Sequence, residues 1–275
     1  MTWWAIDVRT PPEHREAVGA WLVQRTGNAV EERDDGVLVG VATDELEAER
    51  LLAELAQRST PAAAERRVLD PVDWSVRWRE GLGPRRIGRL TVAPSWAAPT
   101  EPAEPLLVLD PETAFGSGEH GSTRSALALL NRQLHARDRV LDLGSGSGIL
   151  AIAAVKLGAV RATGIELDAE ANVVAARNAE RNQLTDRVTF LEGDAAVLTP
   201  LAAPVELICA NILRTVNTSL LPTIAAALVP SGCAVFAGME AGEAPLFLAA
   251  LNEAGFAVVD QAVDAGWWGV AARVP

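Results

Sequence analysis

The chain has 275 residues, 49% of them hydrophobic, and a formal net charge of −12. That length suits one large domain beside a small one, and no apolar run reaches the ~20 residues that a membrane-spanning helix needs. The acidic balance speaks against non-specific nucleic-acid binding, and Met1-Thr2-Trp3-Trp4 lacks the basic and apolar regions of a signal peptide, so a cytoplasmic protein with no membrane partner is expected.

The first 70 residues read as a small βαββαβ unit, ferredoxin-like in element order. Residues 3–8 alternate as a strand, and Pro11-Pro12 opens a helix with Ala17, Val18, Trp21 and Leu22 on one face, closed by Gly27. Strands over 29–33 and 37–41 flank Asp34-Asp35-Gly36, a hairpin signal. Asp44 caps a second helix with Leu51, Leu52 and Leu55 as its apolar stripe, and residues 66–69 make one more strand. Fourteen Asp and Glu against eight Arg give this unit a charge of about −6, and it holds no catalytic constellation. A connector over 71–100 follows. Trp74 and Trp78 stand four apart on a short helix over 73–80, and residues 71–96 carry five Arg against two acids. This basic stretch serves either RNA contact or salt bridging to the acidic first unit. Pro99, Pro102 and Pro105 mark a loop.

A strand over 106–109 delivers Asp110-Pro111-Glu112-Thr113-Ala114-Phe115-Gly116-Ser117-Gly118-Glu119-His120-Gly121-Ser122-Thr123, a loop rich in small residues that reads as ligand-facing. Ser122 or Thr123 is the expected N-cap of a helix running through Leu134. A strand over 139–143 then meets Gly144, Gly146 and Gly148, and residues 149–154 read as a buried helix. Glycines at such a turn let backbone approach a ligand, and the helix start offers free N–H groups. The next strand, 162–166, ends in Glu166. A carboxylate about twenty residues past the glycines is placed to accept both hydroxyls of a ribose. Ile149 holds the place of the third glycine of a dinucleotide fingerprint, and no Gly-Lys-Ser/Thr follows. The pattern points to a nucleoside cofactor, neither a dinucleotide nor a gripped triphosphate.

Further on, a helix over 169–182 carries a closely packing face of Ala171, Asn172, Ala175, Ala176 and Ala179. The strand over 188–191 ends at Gly193-Asp194, where a carboxylate can accept from an adenine amino group. The strand over 206–210 ends at Asn211-Ile212-Leu213-Arg214. Open α/β sheets bind ligands at these carboxyl ends. A helix over 215–229, a strand over 234–237, a helix over 243–254 and an antiparallel pair, 256–263 with 267–273, resemble the end of a class I methyltransferase sheet, which implies seven strands, mostly parallel with the last reversed. Cys209 and Cys233 read as buried thiols, and the scattered His14, His120 and His135 give no metal-ligand spacing, so no metal is expected.

Gly144, Gly146 and Gly148 with Asp142 just before them resemble the nucleotide loop of class I S-adenosylmethionine-dependent methyltransferases. Adding Asp110-Pro111, Phe115-Gly116-Ser117-Gly118 and His120, the chain is similar along its whole length to the ribosomal protein L-eleven methyltransferase family. That family usually writes its loop FGTGxHxTT. Here Ser117 and Ser122 keep a hydroxyl in place of threonine, and Ser145 stands where a cysteine is common. The resemblance implies an α/β protein with a seven-stranded Rossmann-like methyltransferase sheet over 101–275. It implies a ferredoxin-like substrate-recognition domain over 1–70 and a Trp/Arg-rich linker between them. It assigns S-adenosylmethionine to Phe115, Gly116, Ser117, Gly118, His120, Thr123, Asp142, Gly144, Gly146, Gly148, Glu166, Asp194 and Asn211.

The activity implied is methyl transfer to lysine or α-amino groups of ribosomal protein L-eleven, free or on the ribosome, without direct nucleic-acid specificity. Asn211 is the catalytic candidate, its uncharged amide oxygen accepting an N–H of the incoming amine. Adenine and glutamine methyltransferases resemble this chain at the asparagine but follow it with an aromatic ring, whereas Ile212-Leu213 gives a flipped base no platform. A methyltransferase acting on RNA or a small-molecule amine, and a non-catalytic cofactor-binding protein, are the alternatives.

Overall fold

The computed structural model describes residues 3–26, 30–32, 36–58, 62–68, 82–102 and 105–274. They divide into two compact units, residues 1–77 and 78–275. The helix expected over 73–80 with Trp74 and Trp78, the closing Gly27, Asp34-Asp35 of the hairpin and Leu69 lie outside the described residues.

The first unit runs β1 (Trp4–Arg9), α1 (Pro12–Thr26), β2 (Glu31–Glu32), β3 (Leu38–Ala42), α2 (Glu45–Ala56) and β4 (Ala63–Val68). Its sheet has the order β2-β3-β1-β4 with every pair antiparallel, the expected ferredoxin-like topology. Strand alternation sends Ile6, Val8, Leu38 and Ala42 to one face, where they bury against Val18 and Leu22 of α1 and Leu51 and Leu55 of α2. The α2 start is closed on both sides. Asp44 Oδ1 accepts from the Glu47 N–H at 2.8 Å, and Glu47 Oε2 accepts from the Thr43 N–H at 2.7 Å.

The second unit begins with a feature that composition hid. Residues 85–93, expected to lie in the linker, form β5 (Arg85–Ile87) and β6 (Leu90–Ala93), and β6 pairs in parallel with β7 (Leu106–Val108). Ile87, Leu90, Val92 and Leu107 are buried in the main core, so the apolar alternation was present but masked by three arginines. The central sheet follows as β8 (Arg139–Leu143), β9 (Arg161–Glu166), β10 (Val188–Glu192), β11 (Val205–Asn211), β12 (Leu228–Glu240), β13 (Ala257–Asp264) and β14 (Trp267–Arg273). Its order is β10-β9-β8-β11-β12-β14-β13, parallel except that β14 runs against both neighbours.

Among the described residues six α-helices accompany these strands: α3 (Gly121–Gln133), α4 (Ile149–Lys156), α5 (Ala169–Arg181), α6 (Ala195–Ala202), α7 (Arg214–Ala227) and α8 (Ala244–Glu253). One core cluster joins the sheet to α3 and α4, and a second joins it to α7 and α8, where Phe236 meets Phe247 and Phe256 edge-on. Three local departures have physical causes. Val229, expected in a helix, belongs to β12, because the ladder from Val205↔Leu228 skips to Leu207↔Cys233 and lets Pro230-Ser231-Gly232 bulge out. Helix α6 was not foreseen, since Pro200 sits inside it. Helix α3 starts at Gly121 with His120 as its N-cap, not Ser122 or Thr123.

Candidate active site

Strand order turns outward in both directions from β8, between β9 and β11, and a cavity of about 760 Å³ opens at the carboxyl ends of these strands. Gly144, Gly146 and Gly148 all have positive φ, at 70°, 51° and 81°. The protein's own packing demands them as much as any ligand would. A Cβ on Gly146 would stand 2.6 Å from the Phe115 carbonyl, and one on Gly148 would stand 2.6 Å from the Phe190 ring.

The Phe115-Gly116-Ser117-Gly118 loop and the β8–α4 loop are one assembly. The Ser147 N–H donates to the Phe115 carbonyl at 2.9 Å, and Ser147 Oγ donates to the Gly116 carbonyl at 2.7 Å. Fully buried Asn178, on α5, completes the join: its Nδ2 donates to the carbonyls of Asp110 and Ser147, and its Oδ1 accepts from the Asp110 N–H. Nothing in the alanine-rich face of α5 marked this residue in the sequence beyond its being an asparagine among small neighbours.

At one end of the cavity Glu166 accepts three backbone N–H groups, from Gly146 at 3.0 Å, Leu167 at 2.8 Å and Asp168 at 3.1 Å. Asp194 caps α6 through the Ala196 N–H at 2.8 Å and also lines the cavity. Asp142 does not line it. Only 1% exposed, Asp142 accepts from the Ala151 N–H in the first turn of α4, while its other oxygen has no partner. Burial in this apolar setting raises its pKa to about 7, with the Glu166 charge a smaller contribution.

Besides Glu166 and Asp194, the one ionisable side chain in the cavity lining is His120. Asn211 closes β11, its Nδ2 3.4 Å from Thr123 Oγ1 and its Oδ1 buried without a partner. Asn217 holds the turn beyond, donating to the carbonyls of Ile212 and Ala237 at 3.0 Å each. His120 Nδ1 lies 2.7 Å from Ser122 Oγ, and its ring meets Trp267 at 4.3 Å and Phe115 at 5.3 Å between centroids. The structure therefore brings Phe115, Gly116, His120, Gly144, Gly146, Glu166, Asp194 and Asn211 together on one cavity wall. Ser117 and Gly118 face a smaller hollow beside Arg85, Thr123 is fully buried behind Asn211, and Gly148 packs under Phe190. Trp267, at the hairpin far along the chain, was missed, and it lines the cavity together with Phe115.

The family described as ribosomal protein L11 methyltransferase (PrmA) matches residues 23–274. A ribosomal protein L11 methyltransferase of Pelotomaculum thermopropionicum is 33% identical over 308 residues, covering 100% of this chain and 99% of its own length. One from Thermus thermophilus is 40% identical over 195 residues, covering 71% of this chain and 75% of its own. The crystal structure of a ribosomal protein L11 methylase from Lactobacillus delbrueckii subsp. bulgaricus superposes with a TM-score of 0.63 at 29% identity, over 70% of this chain and 100% of that one. The chain belongs to the ribosomal protein L11 methyltransferase (PrmA) family.

Proposed function

We propose that this chain transfers methyl groups from S-adenosylmethionine to lysine or α-amino groups of ribosomal protein L11 in the cytoplasm. One observation carries the reading: a single cavity at the carboxyl ends of the strands is lined by the carboxylates Glu166 and Asp194 and also by Asn211, Phe115 and Trp267. Glu166 spends three of its roughly four acceptor sites on backbone N–H groups and keeps capacity for a ribose hydroxyl. Asp194 stands on the same side for an adenine amino group. When bound, the cofactor supplies a methyl on a sulfonium whose leaving group is an uncharged thioether.

The acceptor side then has to neutralise and aim an amine whose ordinary pKa is ~10.4. Phe115, Trp267 and Ile212 strip water from it, which disfavours the ammonium form. Asn211 Oδ1 accepts one of its N–H groups and so orients the lone pair, without the negative charge that would hold the proton on. His120, tied to Ser122, is the ionisable group at this end and can receive the proton. The methylated product stays cationic, and aromatic faces suit it.

The first unit, whose composition through residue 70 is acidic, is assigned to recognition of the protein substrate. Among the described residues no helix is long and apolar enough to cross a membrane. Incubation with labelled cofactor, ribosomal protein L11 and ribosomal RNA tests the reading. Label on the protein is the expected result, and label on the RNA alone would replace the substrate assignment.

A further inference from the structure

The ring pair His120–Trp267 is assembled from two elements far apart in sequence, and one side chain holds both. Arg124, on the first turn of α3, places its Nε 2.9 Å from Asp264 Oδ2 and its Nη2 against Asp264 Oδ1, a fork-to-fork pair. Its remaining Nη1 donates to the Glu119 carbonyl, immediately before His120. Glu119 is itself anchored, its carboxylate paired with Arg85 on β5.

The far partner is a tight hairpin. Asp264 pairs with Trp267 across the two-residue turn Ala265-Gly266, and both turn residues have positive φ, 47° and 81°. For Ala265 that conformation is disfavoured by its Cβ, so the turn needs external support. Gly121 shows how closely the turn is pressed onto α3: a Cβ there would collide with the Asp264 carbonyl and stand 2.9 Å from Trp267 Cδ1. Pairing with Arg124 lowers the Asp264 pKa and raises that of Arg124, as expected for a pair that is only partly exposed.

We propose that Arg124 is a positioning residue: it locks the Glu119-His120 loop to the Asp264–Trp267 turn and so sets the gap between the two rings against which the acceptor amine is seated. The identity of that acceptor rests on the function proposed above, whereas the spacing of the rings does not. Arg124 touches neither the cavity nor any reacting atom and acts through Trp267 and His120.

Two measurements on the full chain decide it. The chain has three histidines, so the ring C–H signal of His120 can be assigned by replacing His14 and His135. In the wild type, Trp267 shifts that signal by its ring current; Arg124→Met should move it toward the position of a free imidazole, and Arg124→Lys, which cannot bridge both partners, should fall between. Single-turnover methylation of ribosomal protein L11 should slow roughly tenfold or more in Arg124→Met, since small misplacement is costly in transfer chemistry, while cofactor affinity stays within about twofold. In a Trp267→Leu background, Arg124→Met should cost clearly less than in the wild type, because one of the two rings it positions is gone. An unmoved His120 signal, or an equal cost in both backgrounds, would overturn the proposal. A wild type that leaves ribosomal protein L11 unmethylated would overturn the acceptor reading, and the His120 signal would still decide the ring spacing.

Discussion

Glu166 and Asp142 are both acids near the glycine loop, and the structure gives them opposite tasks. Glu166 lies at the cavity with donors around it, so on the proposed function replacing its charge removes a ribose contact and disturbs the acceptor for the Gly146 N–H. Glu166→Gln should weaken S-adenosylmethionine binding by about 1.5–3 kcal/mol, the usual worth of a charged hydrogen bond. Calorimetric titration checks this, and unchanged affinity would remove Glu166 from the site. Asp142, expected from its place in the motif to meet the cofactor, sits behind the wall instead. Its pKa of about 7 lies above the ~3.9 of an unfolded aspartate. The carboxyl therefore favours folding when protonated: its contribution is full below about pH 4, is lost as pH rises toward 7, and is flat above. Against Asp142→Asn, whose side chain does not titrate, the wild type without cofactor should lose stability at up to ~1.4 kcal/mol per pH unit across that window. Denaturant unfolding of both proteins at several pH values measures the difference, and parallel curves would contradict it.

Among the elements, the glycine loop was legible because a strand, three alternate glycines and an apolar run leave few other readings. The aromatic loop before it was legible as small residues around a phenylalanine and a histidine. What the sequence did not show is how the two are joined. Asn178 does that from α5 with three hydrogen bonds, and no periodicity distinguishes a buried asparagine from a solvated one. Asn178→Ala leaves the Asp110 N–H and the Ser147 carbonyl without this partner, each buried group costing about 1–3 kcal/mol. We expect a lower melting temperature, reduced cofactor affinity, and partial recovery of the melting temperature at saturating cofactor. Normal affinity in a destabilised variant would confine Asn178 to the core. Strands β5 and β6 escaped notice for a different reason, although their partner β7 was read as the strand over 106–109. They are three and four residues long, and alternation over so few positions is hidden by adjacent arginines.

Across the whole molecule, element order gave the ferredoxin-like βαββαβ from alternation and turn signals, and the seven-stranded sheet followed once that order was joined to the methyltransferase resemblance. Trp267 was not recoverable that way, because its relation to the cavity exists only once β14 is inserted between β12 and β13. The division of labour is also a matter of the whole chain. The second unit has its own buried clusters and the complete cavity, so removing residues 1–70 should spare cofactor affinity and abolish methylation of ribosomal protein L11. An unchanged methylation rate after the deletion would assign the first unit another task. The central claim is that the cavity feeds a methyl group to an amine held at Asn211. Intact-mass spectrometry of ribosomal protein L11, after timed incubation with saturating S-adenosylmethionine and either wild-type or Asn211→Ala chain, tests it most directly. The wild type should add one or more whole methyl masses while the variant, still binding cofactor, adds almost none in the same time; equal masses from both, or none from the wild type, would contradict it.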